Sequence, residues 1–245
     1  MNYLTNLKWR PPIEFTESVS RPRFGRMAGC CIVLLVFLTQ LSDASEWYSV
    51  DNTRDGIQIF RKEVGDSGLV AFRGIGIVEA PLPLVATAII DTDRRREWIE
   101  GLVDTRIIRW GDEYNFIEYD HIGMPPFFED RDFVSKIKMS FDLSGKEITF
   151  HYQPSDEPSA PHTSYIRGEL IDATFILSSI DDGKKTRVDA EFLCDPKGWI
   201  PKWLVNYFLK DWPKTTFRNL RKEVLNDLPV DPRFSKLLER GRISQ

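Results

Sequence analysis

A series of segments with alternating polarity constrains the fold of this chain more than any other feature of its sequence. In each segment, apolar and polar residues alternate with the period of two of a β-strand that buries one face. Most joints carry turn-forming residues, as in Gly65-Asp66-Ser67-Gly68, so the strands are predicted to pair mainly antiparallel. The predicted strands cover residues 57–64, 69–78, 105–110, 114–122, 132–141, 148–153, 165–180 and 187–194.

Helical spacing occurs at two places in the same chain. After Pro81 and Pro83, apolar residues recur at three- and four-residue intervals and predict two short helices, separated by a break at residues 91–93. Residues 200–224 carry one broad apolar stripe, which predicts a long C-terminal helix with a kink at Pro213. Because two short helices cannot cover such a sheet, the long helix is predicted to pack across its concave face. The predicted fold class is therefore α+β, a curved, mainly antiparallel sheet wrapped around a long C-terminal helix.

Residues 1–44 are predicted to lie outside the folded domain. Residues 28–41 form an uncharged, largely apolar run that follows basic residues, and this run is shorter than the roughly 20 residues of a membrane-spanning helix. The small residues after it predict a signal peptide cleaved after Ala44, and hence an exported protein, periplasmic or extracellular. An uncleaved membrane anchor and a translation start at Met27 are alternatives. The domain is predicted to span residues 46–228, followed by a C-terminal tail at 229–245.

Charge and reactive residues weigh against several classes of function. The formal net charge of -4 provides no bulk attraction to nucleic acid. Two of the three cysteines lie within the apolar run, which leaves Cys194 without a disulfide partner in the domain. The three histidines show no metal-ligand spacing, so neither a metal nor another cofactor is predicted. Glu118, Asp120 and His121 are the candidates for acid–base chemistry, and a hydrogen-bonded pair is the simpler interpretation.

Three sequence motifs carry a resemblance to a known family. They are Gly198-Trp199-Ile200-Pro201-Lys202-Trp203 with Asn206, ahead of the predicted long helix; Asp130-Arg131-Asp132-Phe133-Val134, at the start of a strand; and Asp91 with Trp98, in the early helices. With this order of elements, the chain resembles the START domains of the helix-grip, or Bet v 1-like, superfamily over nearly all of residues 46–228. The resemblance implies a tunnel that holds one lipid, with the C-terminal helix and a nearby loop acting as its gate.

Strand alternation and the resemblance together predict which residues line this tunnel. Along residues 132–141, every second side chain shares a face that must point inward. In the sterol-binding members that this chain resembles, a buried acid meets a buried arginine. Glu118 stands in the place of the acid but Ile137 in that of the arginine, so Glu118 needs another partner. The predicted lipid-binding residues are Phe116, Glu118, Phe133, Ser135, Ile137, Met139, Phe141, Val205, Leu209, Trp212, Thr216 and Leu220.

The predicted function is that of a monomer that binds a single hydrophobic ligand, a lipid, for transfer or sensing. Burial of each methylene contributes about 0.8 kcal/mol, so a dry pocket can extract a lipid without covalent chemistry. Trp199 and Trp203 are candidates for transient membrane contact, or else for a helix start packed on the sheet. The alternatives are an enzyme on the same scaffold, such as a cyclase, aromatase or thioesterase, and a partner-binding protein with a collapsed pocket.

Overall fold

A computed structural model describes residues 46–235, and the structural statements below concern that part of the chain. Its strands form one sheet. The strands are β1 (Tyr48–Asn52), β2 (Gln58–Glu63), β3 (Val70–Val78), β4 (Leu102–Trp110), β5 (Asn115–Ile122), β6 (Arg131–Phe141), β7 (Glu147–Pro154), β8 (Ile166–Arg167), β9 (Glu169–Ile180) and β10 (Lys185–Asp195).

Antiparallel pairing dominates this curved sheet. The strand order is β1-β2-β3-β10-β9-β7-β6-β5-β4, and each neighbouring pair in that order is antiparallel. The short β8 lies off this path and pairs in parallel with the start of β6, where Arg131 faces Ile166. Since β3 and β4 are separated by five other strands, the connection between them crosses the sheet and brings its helical residues over one face.

Helices α1 (Leu82–Ile90) and α3 (Trp212–Glu223) pack on the sheet, and the mostly exposed α2 (Lys202–Leu209) precedes α3. The first, α1, is almost entirely apolar and buried, and Pro83 occupies its first turn. A single 3-10 turn at Arg95–Glu97 follows it. Near the end of the chain, α2 buries only Val205, whereas α3 buries one whole side. The contrast leaves most of α2 at the surface.

The contact between α3 and β3 depends on two glycines. A Cβ atom on Gly74 or Gly76 would stand 2.8 Å from the ring of Phe217, so a side chain at either position would push the helix away. Arg221 of the same helix donates from Nε to the carbonyl of Ile77, 2.8 Å away. The sequence Gly74-Ile75-Gly76 is therefore a packing site for the C-terminal helix.

The predicted fold class is confirmed, with differences in detail. The C-terminal helix is interrupted at Lys210 and Asp211 and forms α2 and α3. Pro213, in the first turn of α3, has no amide hydrogen to donate to the preceding turn, so the predicted kink becomes a break. The second early helix is only the 3-10 turn, and β1 was not predicted because its short sequence is mostly exposed.

Residues 229–235 continue the core beyond the predicted domain boundary at 228. Phe234 is fully buried, and its ring centroid lies 6.5 Å from that of Phe141 and 6.4 Å from that of Phe150. The amide of Asp231 donates to Oγ1 of Thr87 in α1, 3.0 Å away. The predicted signal peptide, its cleavage after Ala44 and the rest of the predicted tail lie outside the described residues.

Candidate ligand-binding cavity

A cavity of about 600 Å³ lies between the sheet and the C-terminal helices. This volume is within the roughly 300–1,000 Å³ of cavities that hold small molecules. Its mostly apolar wall is built from α1 and the residues after it, from β5, β6, β7, β9 and β10, and from α2 and α3. Exposed residues such as Glu100, Pro125 and Asp211 also belong to the wall, so the cavity reaches the protein surface.

Some of the residues predicted to bind lipid line this cavity and others do not. Alternation identified the inward face of β6, where Ile137 and Met139 are buried and Lys136 and Lys138 are exposed. The inner face beyond the start of β6 is filled by other side chains, including Phe234, so the cavity is confined to one part of it. Four of the predicted residues line the cavity: Phe133, Val205, Leu209 and Trp212. Five others belong to the core or pack against it: Phe116, Ile137, Met139, Phe141 and Leu220. The remaining three are buried outside the lining: Glu118, Ser135 and Thr216.

Several lining residues were not predicted from the sequence. Ala173 and Phe175 on β9 and Phe192 on β10 point into the cavity, and the alternation that was applied to β6 would have identified them as well. Met124 and Pro125 come from the loop of residues 123–130 between β5 and β6. A loop has no periodicity, so the sequence carries no comparable signal for them.

The acid Glu118 is paired with Arg95. Nη1 of Arg95 lies 2.5 Å from Oε2 of Glu118, and both side chains are almost completely buried. Arg95 belongs to the 3-10 turn after α1, and the position on β6 where an arginine was sought is held by Ile137, opposite Phe116. Glu118 therefore has the other partner that the sequence required, supplied by a different element.

Asp120 adds a second carboxylate to the same wall. Glu118 and Asp120 both point to the inner face of β5, and Asp120 lines the cavity together with Arg95 and Tyr152. Buried atoms without a hydrogen-bond partner among residues 46–235 include Oδ1 of Asp120, Nε of Arg95 and Nε1 of Trp98 on the cavity wall, and Oε1 of Glu118 outside the lining. Because a buried polar atom without a partner is costly, the atoms on the cavity wall are suited to meet polar atoms of a ligand.

Burial and mutual charge shift the pKa values in this group. Burial raises the pKa of the Glu118 carboxyl to about 8, opposed by Arg95 and assisted by Asp120. Burial disfavours the charge on Arg95, but Glu118 and Asp120 outweigh it and hold the pKa of the guanidinium above its ordinary value. Burial also raises the pKa of Tyr152. With Glu118 protonated much of the time at neutral pH, one guanidinium and two carboxyls form a group that is close to electrically neutral.

Arg131 ties together two surface segments beside the cavity. Its guanidinium donates to the carbonyl of Glu129 in the loop 123–130, and to the carbonyls of Pro196 and Lys197, ahead of α2, at 3.2 Å and 3.3 Å. The side chain is buried, and burial lowers the pKa of Arg131 against the opposing effect of Glu129 and Asp130. Since both segments contribute to the cavity wall, this clamp fixes two parts of the wall relative to each other.

The two acids that flank Arg131 also hold loops in place. Asp130 accepts a hydrogen bond from the amide of Met124 at 2.9 Å, which closes the loop 123–130 on itself. Asp132 is fully buried and accepts hydrogen bonds from Nε of Arg167 at 2.7 Å and from Oγ1 of Thr163 at 2.6 Å. The Asp130-Arg131-Asp132 motif thus anchors the chain segments around the start of β6.

The acid–base candidates of the sequence do not converge in the cavity. His121 lies on the opposite face of β5 from Glu118 and Asp120, where its Nε2 is 2.8 Å from Oδ2 of Asp130 and its ring stacks on Tyr165. Within residues 46–235, no three His, Cys, Asp or Glu side chains are grouped as a metal site would require. The hydrogen-bonded pair is therefore the structural role of His121.

Exposed aromatic side chains lie on the two segments that Arg131 joins. Trp199 is 90% exposed, Trp203 70% and Tyr207 68%, on and just before α2, whose opposite side contributes to the cavity wall. Phe127 in the loop 123–130 is fully exposed, and its backbone φ is 80°, a value that residues other than glycine rarely adopt. Such exposure disagrees with the interpretation of Trp199 and Trp203 as a helix start packed on the sheet.

Known proteins share this arrangement of elements. The family model for the START domain matches residues 33–224, which begins within the apolar run of the sequence and continues through α3. Phosphatidylcholine transfer protein of Rattus norvegicus is 26% identical over 176 residues, 70% of this chain and 80% of that protein. The structure of human StAR-related lipid transfer protein 5 has a TM-score of 0.67 at 20% identity and covers 75% of this chain and 88% of its own. A STAR-related lipid transfer protein fragment from Xanthomonas axonopodis has a TM-score of 0.64 at 20% identity, with coverages of 74% and 99%.

Proposed function

Because this chain belongs to the START domain family, we propose that it binds one lipid molecule in the cavity between its sheet and its C-terminal helices, for transfer or sensing. Relatives in the family are named as lipid-transfer proteins, which supports lipid binding or transfer in general. The mostly apolar cavity of about 600 Å³ carries the finer proposal of a single enclosed ligand. Each square ångström of apolar surface removed from water contributes about 25 cal/mol, enough to drive an acyl chain into such a space.

A catalytic role for the cavity has less support. Several curated relatives are named as phosphatidylcholine transfer proteins, and that name denotes a carrier and not an enzyme. His121 faces away from Glu118 and Asp120, so the cavity lacks the converging acid and base that the enzyme alternative requires. A binding protein therefore fits the site better than a cyclase, an aromatase or a thioesterase.

Two matched tryptophan variants test the proposal that one lipid molecule is enclosed in the cavity. Leu209 lines the cavity, whereas Leu225 is an exposed leucine just after α3. Native mass spectrometry and lipid extraction of the purified protein are expected to find one bound lipid in the wild type and in Leu225→Trp, and none in folded Leu209→Trp, whose new ring fills the cavity. Wild-type protein that takes up no lipid from vesicles would contradict the proposal.

The exposed rings around α2 and the loop 123–130 are proposed to touch the membrane when lipid enters or leaves. Tryptophan and tyrosine prefer the membrane–water interface, and Trp199, Trp203 and Tyr207 are exposed beside the cavity. In vesicle co-sedimentation, Trp199→Ala and Trp203→Ala should each weaken binding, while Leu143→Ala, an exposed apolar residue in the turn after β6, should not. Equal binding by all four proteins would exclude this face as the contact.

Export and a monomeric state are further proposals, the first of which rests on the sequence of residues 28–44. None of the helices in residues 46–235 is long and apolar enough to cross a bilayer. Cell fractionation of the protein with a C-terminal tag, followed by N-terminal sequencing, is expected to recover an exported chain that begins after Ala44. A membrane-bound chain that retains residues 28–41 would favour the anchor instead. Size-exclusion chromatography with light scattering tests the monomer.

A further inference from the structure

We propose that the cavity selects lipids by the charge of their polar group, with Asp120 as the specificity-determining residue. It accepts a polar group that donates hydrogen bonds and has no net negative charge, a hydroxyl or an ammonium, and it disfavours anionic headgroups. This inference rests on the proposed lipid-binding function and names the class of lipid that the same cavity takes.

The charges on the cavity wall are balanced without a ligand. The guanidinium of Arg95, in the 3-10 turn after α1, is bound to Glu118 of β5, and Asp120 of β5 adds a second acid at the cavity surface. An anionic headgroup that approached Arg95 would have to displace Glu118 and would meet the carboxylate of Asp120. Like charges in a partly buried site repel strongly, because water screens them poorly.

The other cations of the cavity wall are also engaged. Arg131 uses Nε, Nη1 and Nη2 to donate to three backbone carbonyls. Lys214 lies 2.7 Å from Oδ1 of Asp211. Within residues 46–235, each basic side chain of the lining therefore already has an acidic or a carbonyl partner, and Nε of Arg95 is left as a donor without a hydrogen-bond partner. An anionic headgroup would find no basic side chain here whose charge is unpaired.

The unpartnered atoms indicate what the ligand supplies. Oδ1 of Asp120 is buried without a hydrogen-bond partner among the described residues, so it calls for a donor, and a hydroxyl or an ammonium provides one. Nε1 of Trp98 and Nε of Arg95, also buried without a hydrogen-bond partner in the described chain, each need an acceptor such as a hydroxyl or ester oxygen. A polar group that donates near Asp120 and accepts near Trp98 satisfies these two residues.

Competition between lipids with identical acyl chains tests this selectivity. Lipid-free full-length protein is mixed with vesicles containing equal amounts of phosphatidylethanolamine, diacylglycerol, phosphatidylglycerol and phosphatidic acid, re-isolated, and its bound lipids are counted by mass spectrometry. The wild type is expected to enrich phosphatidylethanolamine and diacylglycerol over the two anionic lipids by about tenfold or more, the effect of about one charge-assisted hydrogen bond. Asp120→Asn should bring this ratio close to that in the vesicles.

Glu113→Gln is the matched control, because it removes a carboxylate from an exposed turn outside the cavity lining, where water and salt screen it. It should keep the wild-type ratio. Wild-type protein that binds these lipids but takes the anionic ones equally well overturns the selectivity and leaves lipid binding intact. Protein that binds no lipid overturns the proposed function as well.

A second measurement needs no variant and keeps the test available if Asp120→Asn does not fold. The titratable groups beside Glu118 are Arg95 of the 3-10 turn, Asp120 of β5 and Tyr152 of β7. Glu118 loses its proton as the pH rises from 6 to 9. The added negative charge should increase the discrimination of the wild type against anionic lipids severalfold. A ratio that does not change, or that moves toward the anionic lipids, would contradict the assignment.

Discussion

The guanidinium of Arg131 donates a hydrogen bond to the carbonyl of Pro196, 3.2 Å away, and so joins the start of β6 to the segment that leads into α2. The same side chain also holds Glu129 of the loop 123–130 and Lys197. Both segments form part of the cavity wall, and both carry exposed aromatic rings. Any movement of these two segments away from each other has to break the hydrogen bonds of Arg131.

Replacement of Arg131 by methionine is expected to speed the exchange of bound lipid. The variant keeps a buried side chain of similar length but leaves three carbonyls without their donor, which costs about 1–3 kcal/mol of folding free energy for each buried group left unsatisfied. Transfer of a fluorescent lipid between vesicles, measured by stopped flow, should be severalfold faster than in the wild type.

Arg221→Met is the matched control for this experiment. Arg221 donates to the backbone carbonyls of Ile77 and Asp55 and joins α3 to β3 and the turn after β1, away from the clamp at Arg131. It should lower stability without changing the exchange rate. If the two variants changed the rate equally, general destabilisation would explain the effect and the clamp would not.

Replacement of Glu118 by glutamine should flatten the pH dependence of stability between pH 5 and pH 8. The pKa of Glu118 is raised to about 8 in the folded state by burial, so in this range the folded protein holds a proton that the unfolded chain releases. The stabilising contribution is complete below the ordinary pKa of a glutamate and is lost as the pH rises through about 8, with a slope of up to about 1.4 kcal/mol per pH unit.

Urea unfolding at several pH values measures that slope. The comparison uses the slope and not the absolute stability, because Glu118→Gln also weakens the pairing of Arg95. Glu113→Gln, at an exposed turn, should keep the wild-type slope. A slope that survives in Glu118→Gln would assign the titration to another group.

Most of the sheet and its inward face were predictable because each strand other than the short, exposed β1 carries a local signal in its own sequence. In β6 the alternation of buried Ile137 and Met139 with exposed Lys136 and Lys138 is local and needs no knowledge of the rest of the chain. For the C-terminal helix, Pro213 predicted a kink, but the sequence did not show that the helix breaks into α2 and α3.

The polar part of the site was not predictable, because its contacts join elements that are distant in sequence. Three consecutive arginines, Arg94, Arg95 and Arg96, follow α1, and nothing in their spacing tells which one turns inward to meet Glu118. Similarly, Phe234 lies in what the sequence presents as a tail, and only the fold shows that it fills the inner face of the sheet. Where the core ends and the cavity begins depends on such long-range contacts.

Introduction of a side chain at Gly76 is expected to destabilise the contact between β3 and α3. The Cβ of Gly76→Ala would stand 2.8 Å from the Phe217 ring, and overpacking of this kind costs about 1–3 kcal/mol. Chemical denaturation should show this loss. The double variant Gly76→Ala with Phe217→Leu should lose less than the sum of the two single variants, because the smaller side chain relieves the clash. Strict additivity would show that the contact is not the cause.

The thiol of Cys194 provides a probe of the cavity itself. Cys194 lines the cavity, and burial raises its pKa to about 12, assisted by Asp195 and opposed by Lys202. Since the thiolate is the reactive form, alkylation by a maleimide at pH 8 should be slow, and a lipid in the cavity should slow it further. Peptide mass spectrometry follows the rate at this residue, with Leu143→Cys in an exposed turn as the fast internal reference. A rate at Cys194 that is the same with and without bound lipid would place the lipid outside this cavity.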